Sequence, residues 1–436
     1  MGCCHHYFAQ TADGDTAFTI DASTLTFGAG CLREAGDQAR ALGMKKIGIF
    51  TDKSVRRLPP VTTVTNSLQA ASIDFGIYDE VKVEPTDQSF TAAARFAAEG
   101  RFDGYISIGG GSVIDTCKAA NLYATYPADF LTYVNAPVGG GQPIPGPLKP
   151  HIACPTTCGT GSEATGIAIF DLLAMKAKTG IQSRRLKPTT GLVDPEVTRT
   201  LPSTIVASTG FDAMSHALET LTDISYARRA RPASGTQRPP SQGANPFSDM
   251  VAFEALNLVG KYLVRAVNDP ADQEARAEMM YAATLAGIAF GNAGCHLPHG
   301  MSYAVSGLVR EYRAPHYPHH EPFVPHGMAV VLNAPAVYRF TASACPDRHL
   351  DAARHLGADV RDATLADAGE VLAGQIVKFM QATKFPGGLN AIGFSERDVD
   401  ALVDGAWPQQ RVLKNAPRAV NRDELRELFR GAMAYW

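Results

Sequence analysis

The chain has no apolar run approaching the ~20 residues that a membrane-spanning helix needs, and it has no excess of either charge. Forty Lys and Arg stand against 43 Asp and Glu, a formal net charge of −3 in 436 residues. That balance lacks the basic footprint of a nucleic-acid protein, and no nucleic-acid or membrane partner is expected. Cysteine is scarce as well. Eight thiols in a chain of this length are too few for a disulfide-built secreted fold, so a reducing interior is expected. The N-terminus shows neither a signal peptide's apolar run nor an arginine-rich, acid-poor transit segment. Its first arginine is Arg33, after Asp13, Asp15 and Asp21. Met1-Gly2 begins like a myristoylation signal, but His6 stands where that signal requires Ser or Thr. A cytoplasmic location is expected. Cys3, Cys4, His5 and His6 have metal-ligand chemistry only if the terminus is ordered.

What is present is core material: 45% of the residues are hydrophobic and 19% charged. The length corresponds to about two to three domains. In the first half, strand-like runs alternate with helical ones. Lys46 to Phe50, Gly104 to Ile108, His151 to Cys154 and Gly191 to Val193 are short and apolar, whereas Ser89 to Glu99 sets Phe90, Ala93, Ala94 and Ala97 on one helical face. Such alternation indicates a parallel sheet covered on both faces. After Pro202 the strand pattern fades, and Ser203 to Leu221, Asp249 to Val267 and Asp272 to Ala289 have helical spacing. The expected organisation is an α/β dinucleotide-binding domain over residues 1–200 and an all-α domain over 201–436. Arg228 to Asn245, with Pro232, Pro239, Pro240 and four arginines, is expected to be a solvated surface loop.

Gly109-Gly110-Gly111-Ser112 follows one strand and precedes a helix. Glycines there let backbone N–H groups approach an anion that the helix dipole favours. A glycine run also makes an ordinary tight turn. A second loop, Pro155-Thr156-Thr157-Cys158-Gly159-Thr160-Gly161-Ser162-Glu163, follows another strand and is dense in hydroxyls. Two such loops on one sheet favour a pyrophosphate site over two polar turns. Asp115 is placed either to cap its helix or to meet a ribose. Asp52, at a strand end, suits the adenosine ribose and would repel a 2′-phosphate, favouring NAD over NADP.

Asp212 and His216 are four apart on a helix and share a face. Alone, the pair could be a surface hydrogen bond. Six of the twelve histidines, however, fall between 296 and 326, and His299-Gly300-Met301 is echoed by His326-Gly327-Met328. Three imidazoles and one carboxylate suit Zn²⁺ or Fe²⁺, leaving the ion net positive and able to act as a Lewis acid.

These elements, in this order, resemble the iron-containing (group III) alcohol dehydrogenase family, from about residue 20 to the C-terminus. Within it the chain is most similar to the branch that exchanges hydride between hydroxyacids and oxoacids. That similarity rests on Val83-Glu84-Pro85-Thr86-Asp87, Asp115 to Tyr123, Gly291-Asn292-Ala293-Gly294, His299 to Tyr303, the long interval from His299 to His326 and the proline-rich insert. The resemblance implies a dehydroquinate-synthase-like fold with its active site in a cleft between domains, and a homo-oligomer is expected. It implies Asp212, His216, His299 and His326 as catalytic metal ligands. Asp52, Gly110, Gly111, Ser112, Asp115, Thr156, Thr157 and Lys178 would line the NAD site. Cys158 stands in place of the family's usual serine, and Tyr303 in place of a histidine that often joins the proton path. The implied activity is hydride transfer through NAD from 4-hydroxybutyrate to 2-oxoglutarate, with Arg310 and Arg313 as candidate carboxylate contacts. An ordinary NAD-dependent alcohol or 4-hydroxybutyrate dehydrogenase that releases NADH, a maleylacetate reductase and a sensor without turnover remain alternatives.

Overall fold

A computed structural model describes Tyr7 and residues 11–175, 177–317 and 322–436. Cys3, Cys4, His5, His6, His319 and His320 lie outside the described residues. The chain divides into two units, Ala22–Leu201 and Pro202–Trp436, the latter together with the described residues up to Asp21.

The first unit is built on a six-stranded sheet of β1 (Thr24–Phe27), β2 (Lys46–Phe50), β3 (Asp74–Tyr78), β4 (Gly104–Gly109), β5 (His151–Pro155) and β8 (Thr190–Val193). The spatial order is β1-β8-β5-β4-β2-β3, with every neighbouring pair parallel. Helices α1 (Ala35–Ala41), α2 (Pro59–Ala70), α3 (Asp87–Gly100) and α4 (Gly111–Thr125) make the connections. Every residue of β4 and β5 is buried, which explains why these strands read as continuous apolar runs without alternation. The connection after β2 leads outward to β3, whereas those after β4 and β5 lead the other way. The order therefore reverses between β2 and β4, and the ends of those strands flank a crevice of the kind that holds nucleotides. An antiparallel hairpin, β6 (Ile167–Leu172) with β7 (Ala177–Gln182), stands apart from this sheet. Its short strands between Gly166 and Ser183 had no distinct signature in the sequence.

The second unit is helical. It contains α5 (Ser203–Thr222), α6 (Pro246–Asn268), α7 (Gln273–Asn292), α8 (Leu297–Leu308), α9 (His326–Val331), α10 (Ala334–Thr341) and α11 (Pro346–His355), followed by further helices to Gly431. In α5 every residue from Val206 to Thr222 except Thr209 is buried. Its inward polar residues therefore need partners, and Ser215 and Thr222 find them by donating to the carbonyls four residues back. Residues up to Asp21, expected with the α/β half, group with the helices instead. Tyr7 donates to Asp249 and accepts from the buried guanidinium of Arg348, and Asp15 pairs with Arg238.

The insert is solvated over most of its length, as expected: every residue from Arg228 to Ser241 is exposed or half-buried. Only its end, from Gln242 to Asn245, is buried, and Arg229 reaches the fully buried carboxylate of Asp223 at 3.2 Å. Asp223 and Asp15 neutralise two of its arginines, which removes their need for bulk water. Gln242 and Gly243 donate to the carbonyls of Asn292 and Ala293, just ahead of α8.

Candidate metal and nucleotide sites

Helix α5 carries Asp212, His216 and Glu219 at successive turns of one face. The two His-Gly pairs supply the rest, His299 in the first turn of α8 and His326 at the start of α9. Glycine is required after each histidine by close packing. A Cβ at Gly327 would lie 2.0 Å from the Ser208 carbonyl oxygen and 2.8 Å from Asp212 Cβ, and one at Gly300 would lie 2.5 Å from Leu413 Cδ2. Asp212 Oδ1 lies 3.9 Å from His216 Nε2, 3.6 Å from His299 Nε2 and 3.7 Å from His326 Nε2. These separations are too long for hydrogen bonds. They approach the edge of a tetrahedron, about 3.4 Å for ligand bonds of ~2.1 Å. Asp212 Oδ1 and His299 Nε2 are sealed from solvent with no hydrogen-bond partner, a costly arrangement unless a cation satisfies them. Burial alone would raise the Asp212 pKa, but His216, His326 and His299 hold it well below the usual carboxylate range. Burial pulls His216 down to about 4, leaving it neutral, the form that ligates metal. Phe290 stacks on its ring at 4.0 Å and 7°.

Glu219, unassigned in the sequence reading, orients this group. Its Oε1 accepts from His299 Nδ1 at 2.7 Å and from His299 N at 3.2 Å, and its Oε2 accepts from His296 N at 2.6 Å. The carboxylate thus sits at the N-terminus of α8, where the helix dipole favours it. It also fixes the His299 tautomer that leaves Nε2 as the lone-pair nitrogen. A position seven residues after Asp212 was the available signal. Cys295 lies close to His216 and His299 as well.

In the Ala22–Leu201 unit, Gly109 pairs with Pro155 across adjacent parallel strands, so the two candidate phosphate loops leave the same edge side by side. They abut: a Cβ at Gly111 would lie 2.6 Å from Thr160 Cγ2, and one at Gly110 3.2 Å from Thr157 Cγ2. Gly110 is the N-cap of α4, with no side-chain cap. Among the described residues no hydrogen bond reaches the N–H groups of Gly111 or Ser112. A backbone cradle at a helix N-terminus fits a phosphate. Thr156 is buried, and Thr157 is half-buried beside Gly110. Asp52 follows β2 at the crevice, its Oδ1 accepting from Ser54 N at 2.8 Å and Val55 N at 2.9 Å. Asp115 ties elements together: Ser162 donates to its Oδ1 at 2.6 Å, and the Ile169 N–H to its Oδ2 at 2.9 Å. Lys178 is buried between Glu84, at 2.5 Å, and Asp171, at 3.0 Å. Burial opposes its charge, but those two carboxylates hold its pKa above the ordinary lysine range.

Lys118 went unread in the sequence. Fully buried on α4, it donates to Ser162 Oγ at 2.6 Å and to the Ile167 carbonyl at 2.8 Å, bracing the second loop from behind. Arg310 is an exposed surface residue paired with Asp398 at 2.6 Å, and Arg313 is exposed.

Residues 22–195 match "Iron-containing alcohol dehydrogenase", and residues 240–433 match the C-terminal part of the "Fe-containing alcohol dehydrogenase family". The chain is 52% identical over 421 residues to the mitochondrial hydroxyacid-oxoacid transhydrogenase of Mus musculus, covering 96% of this chain and 90% of that protein. It is 44% identical over 447 residues to a probable mitochondrial hydroxyacid-oxoacid transhydrogenase of Dictyostelium discoideum, covering 99% and 82%. Among solved structures it resembles a 1,3-propanediol oxidoreductase, with a TM-score of 0.84, 27% identity and coverage of 96% and 100%. A sulfoacetaldehyde reductase of Bifidobacterium kashiwanohense in complex with NAD+ gives a TM-score of 0.79 at 25% identity, covering 97% and 100%. The parallel-sheet unit and the helical unit are those of this dehydroquinate-synthase-like fold. The expected cytoplasmic location is corrected by the Mus musculus and Dictyostelium discoideum relatives, which are named as mitochondrial. Free thiols and near-neutral charge suit any reducing compartment and cannot tell one from another. With both halves matched and half of its residues shared with the mouse enzyme, the chain belongs to the iron-containing alcohol dehydrogenase family.

Proposed function

We propose that this chain is a hydroxyacid–oxoacid transhydrogenase that moves hydride from 4-hydroxybutyrate to 2-oxoglutarate through bound NAD, giving succinate semialdehyde and 2-hydroxyglutarate. The observation that carries the chemistry is the convergence of three imidazoles on the buried Asp212 carboxylate at 3.6–3.9 Å. The preference for the transhydrogenase over other oxidoreductases rests on the 52% identity to the mouse enzyme. In this reading Asp212, His216, His299 and His326 hold one divalent ion, Fe²⁺ or Zn²⁺. When bound, such an ion supplies Lewis acidity toward an alcohol or ketone oxygen, and NAD supplies the hydride carrier.

The protein's own groups prepare these sites. Glu219 holds His299 in one tautomer and orientation, and Phe290 pins the His216 ring by stacking. Asp212 stays ionised, which limits the net charge that the buried site must hold. On the nucleotide side, Gly110, Gly111 and Ser112 offer an uncapped helix N-terminus to phosphate. Thr156 and Thr157 flank it from the second loop. We assign Asp52 and Lys178 to the ribose hydroxyls and Asp115 to holding the two loops in register. Arg310 is withdrawn as the substrate's carboxylate contact, because Asp398 already holds it at the surface.

The deciding experiment adds no nucleotide. Metal-loaded protein is incubated with 4-hydroxybutyrate deuterated at C4 and with unlabelled 2-oxoglutarate, and the products are read by mass spectrometry. Deuterium at C2 of 2-hydroxyglutarate is the expected result. A strict need for added NAD, with NADH accumulating in solution, would establish a dehydrogenase instead.

A further inference from the structure

Glu84 adopts a backbone conformation that its residue type disfavours. Its φ is +53°, in the left-handed region, where a Cβ crowds the following carbonyl. Three further features surround it. The Glu84 N–H donates to Ser112 Oγ at 3.2 Å, in the first turn of α4. Its carboxylate accepts from Lys178 Nζ at 2.5 Å. The adjoining Pro85 carbonyl accepts from Asp171 N at 2.7 Å, and Asp171 Oδ1 lies 3.0 Å from the same ammonium. One strained residue therefore links the phosphate loop at its backbone to a buried lysine at its side chain. A non-glycine residue held in this region calls for an explanation at the level of function. The side chain is not needed to occupy the conformation, since glycine would occupy it at less cost.

We propose that Glu84 is a positioning residue for the nucleotide, locking the Lys178 ammonium in fixed register with the Gly110–Ser112 cradle. This rests on the reading that Lys178 contacts the bound nucleotide. A lysine reaches through four flexible bonds and loses much rotamer freedom when ordered. A half-buried carboxylate pair that orders it beforehand moves that cost from binding to folding. The two carboxylates also keep Lys178 charged although it is buried. The inference concerns nucleotide affinity, not the chemical step.

The test uses Glu84→Gly, Lys178→Met and their combination, with NADH affinity read by fluorescence titration of the full-length, metal-loaded protein. Glu84→Gly suits the left-handed backbone, so far-UV circular dichroism and bound metal should match the parent. Losing one charged hydrogen bond corresponds to roughly 10- to 100-fold in affinity, and that is the weakening expected for Glu84→Gly. Lys178→Met should weaken NADH by at least as much, and the double variant no further, because Glu84 acts through Lys178. Glu84→Gln, whose amide oxygen can still accept from the ammonium, should recover part of the NADH affinity lost in Glu84→Gly. Parent-like NADH affinity in Glu84→Gly, beside a weakened Lys178→Met, overturns the proposal but leaves Lys178 at the nucleotide. Parent-like affinity in Lys178→Met removes the reading beneath it as well. Additive losses in the double variant would also defeat it, since the two residues would then act independently.

Discussion

At the residue scale the proposed metal ligands depend on a carboxylate behind them. Glu219 accepts two backbone N–H groups and the His299 ring N–H, all from the first turn of α8 or its cap. Glu219→Gln replaces one acceptor oxygen with a donor facing N–H groups. Removing such a partner of a metal-ligating histidine typically costs 10- to 100-fold in metal affinity, and a loss of that size is expected here. Competition for Zn²⁺ against a chromophoric chelator would measure it, and unchanged affinity would show that Glu219 does not tune the site. The Asp212/His216 pair was legible as two ligand types four apart on a helix. Glu219 follows three residues later at the next turn of that face, yet a carboxylate on a helix has many uses. Only the arrival of α8 beside α5 gives it one. Lys118 was invisible for a related reason: nothing local distinguishes a buried lysine from a solvated one until Ser162 and Ile167 close over it.

Elements show the same division. Four strands of the parallel sheet, β2, β4, β5 and β8, and the long helices were legible because burial leaves apolar runs and 3.6-residue spacing in the chain. The edge strands β1 and β3, whose residues are only half-buried or exposed, and the β6–β7 hairpin were not. Proline, glycine and arginine predicted the solvated insert from local preference, but not its ion pairs: Arg229 meets Asp223 from six residues away, and Arg238 meets Asp15 from 223 residues away. Loop apposition is equally non-local. The two candidate phosphate loops meet where Gly111 faces Thr160, and a methyl group at Gly111 would press on Thr160 Cγ2 at 2.6 Å and Oγ1 at 2.9 Å. Overpacking of this kind typically costs about 1–3 kcal/mol. Gly111→Ala should accordingly weaken NAD binding by roughly tenfold or more with metal binding intact. Isothermal titration with NAD decides it, and a parent-like affinity would mean that the cradle does not need the glycine.

For the whole molecule, buried neutral histidines set the acid limit. Burial lowers His151 to about 3 and His349 to about 4, from a reference value of 6.5. His151 bonds Ser107 Oγ at 2.8 Å, and His349 bonds Thr341 Oγ1 at 2.9 Å. In the unfolded chain both imidazoles take a proton below pH 6.5, and in the folded chain they resist until about pH 4 or lower. Stability from these two sites is therefore complete above pH 6.5 and drains away as the pH falls toward 4. Linkage gives a loss of about 2 kcal/mol per site between pH 7 and pH 5. In His349→Gln the urea midpoint should fall less steeply over that interval than in the parent. An identical slope would show that His349 is not buried in its neutral form.

Composition, periodicity and motif order, read from the chain alone, determined a parallel α/β unit followed by a helical one, and singled out two candidate phosphate loops and a candidate ligand set of three histidines and one carboxylate. Those properties are local, or are preserved as spacing along the chain, and so they survive without coordinates. The tertiary structure alone decided which buried and half-buried polar groups serve one another: Glu219 with His299, Glu84 with Lys178 and Ser112, and Arg229 with Asp223. Such pairs join residues from 6 to 94 positions apart. Desolvation makes each group need a partner, but the identity of that partner is set only when the chain packs.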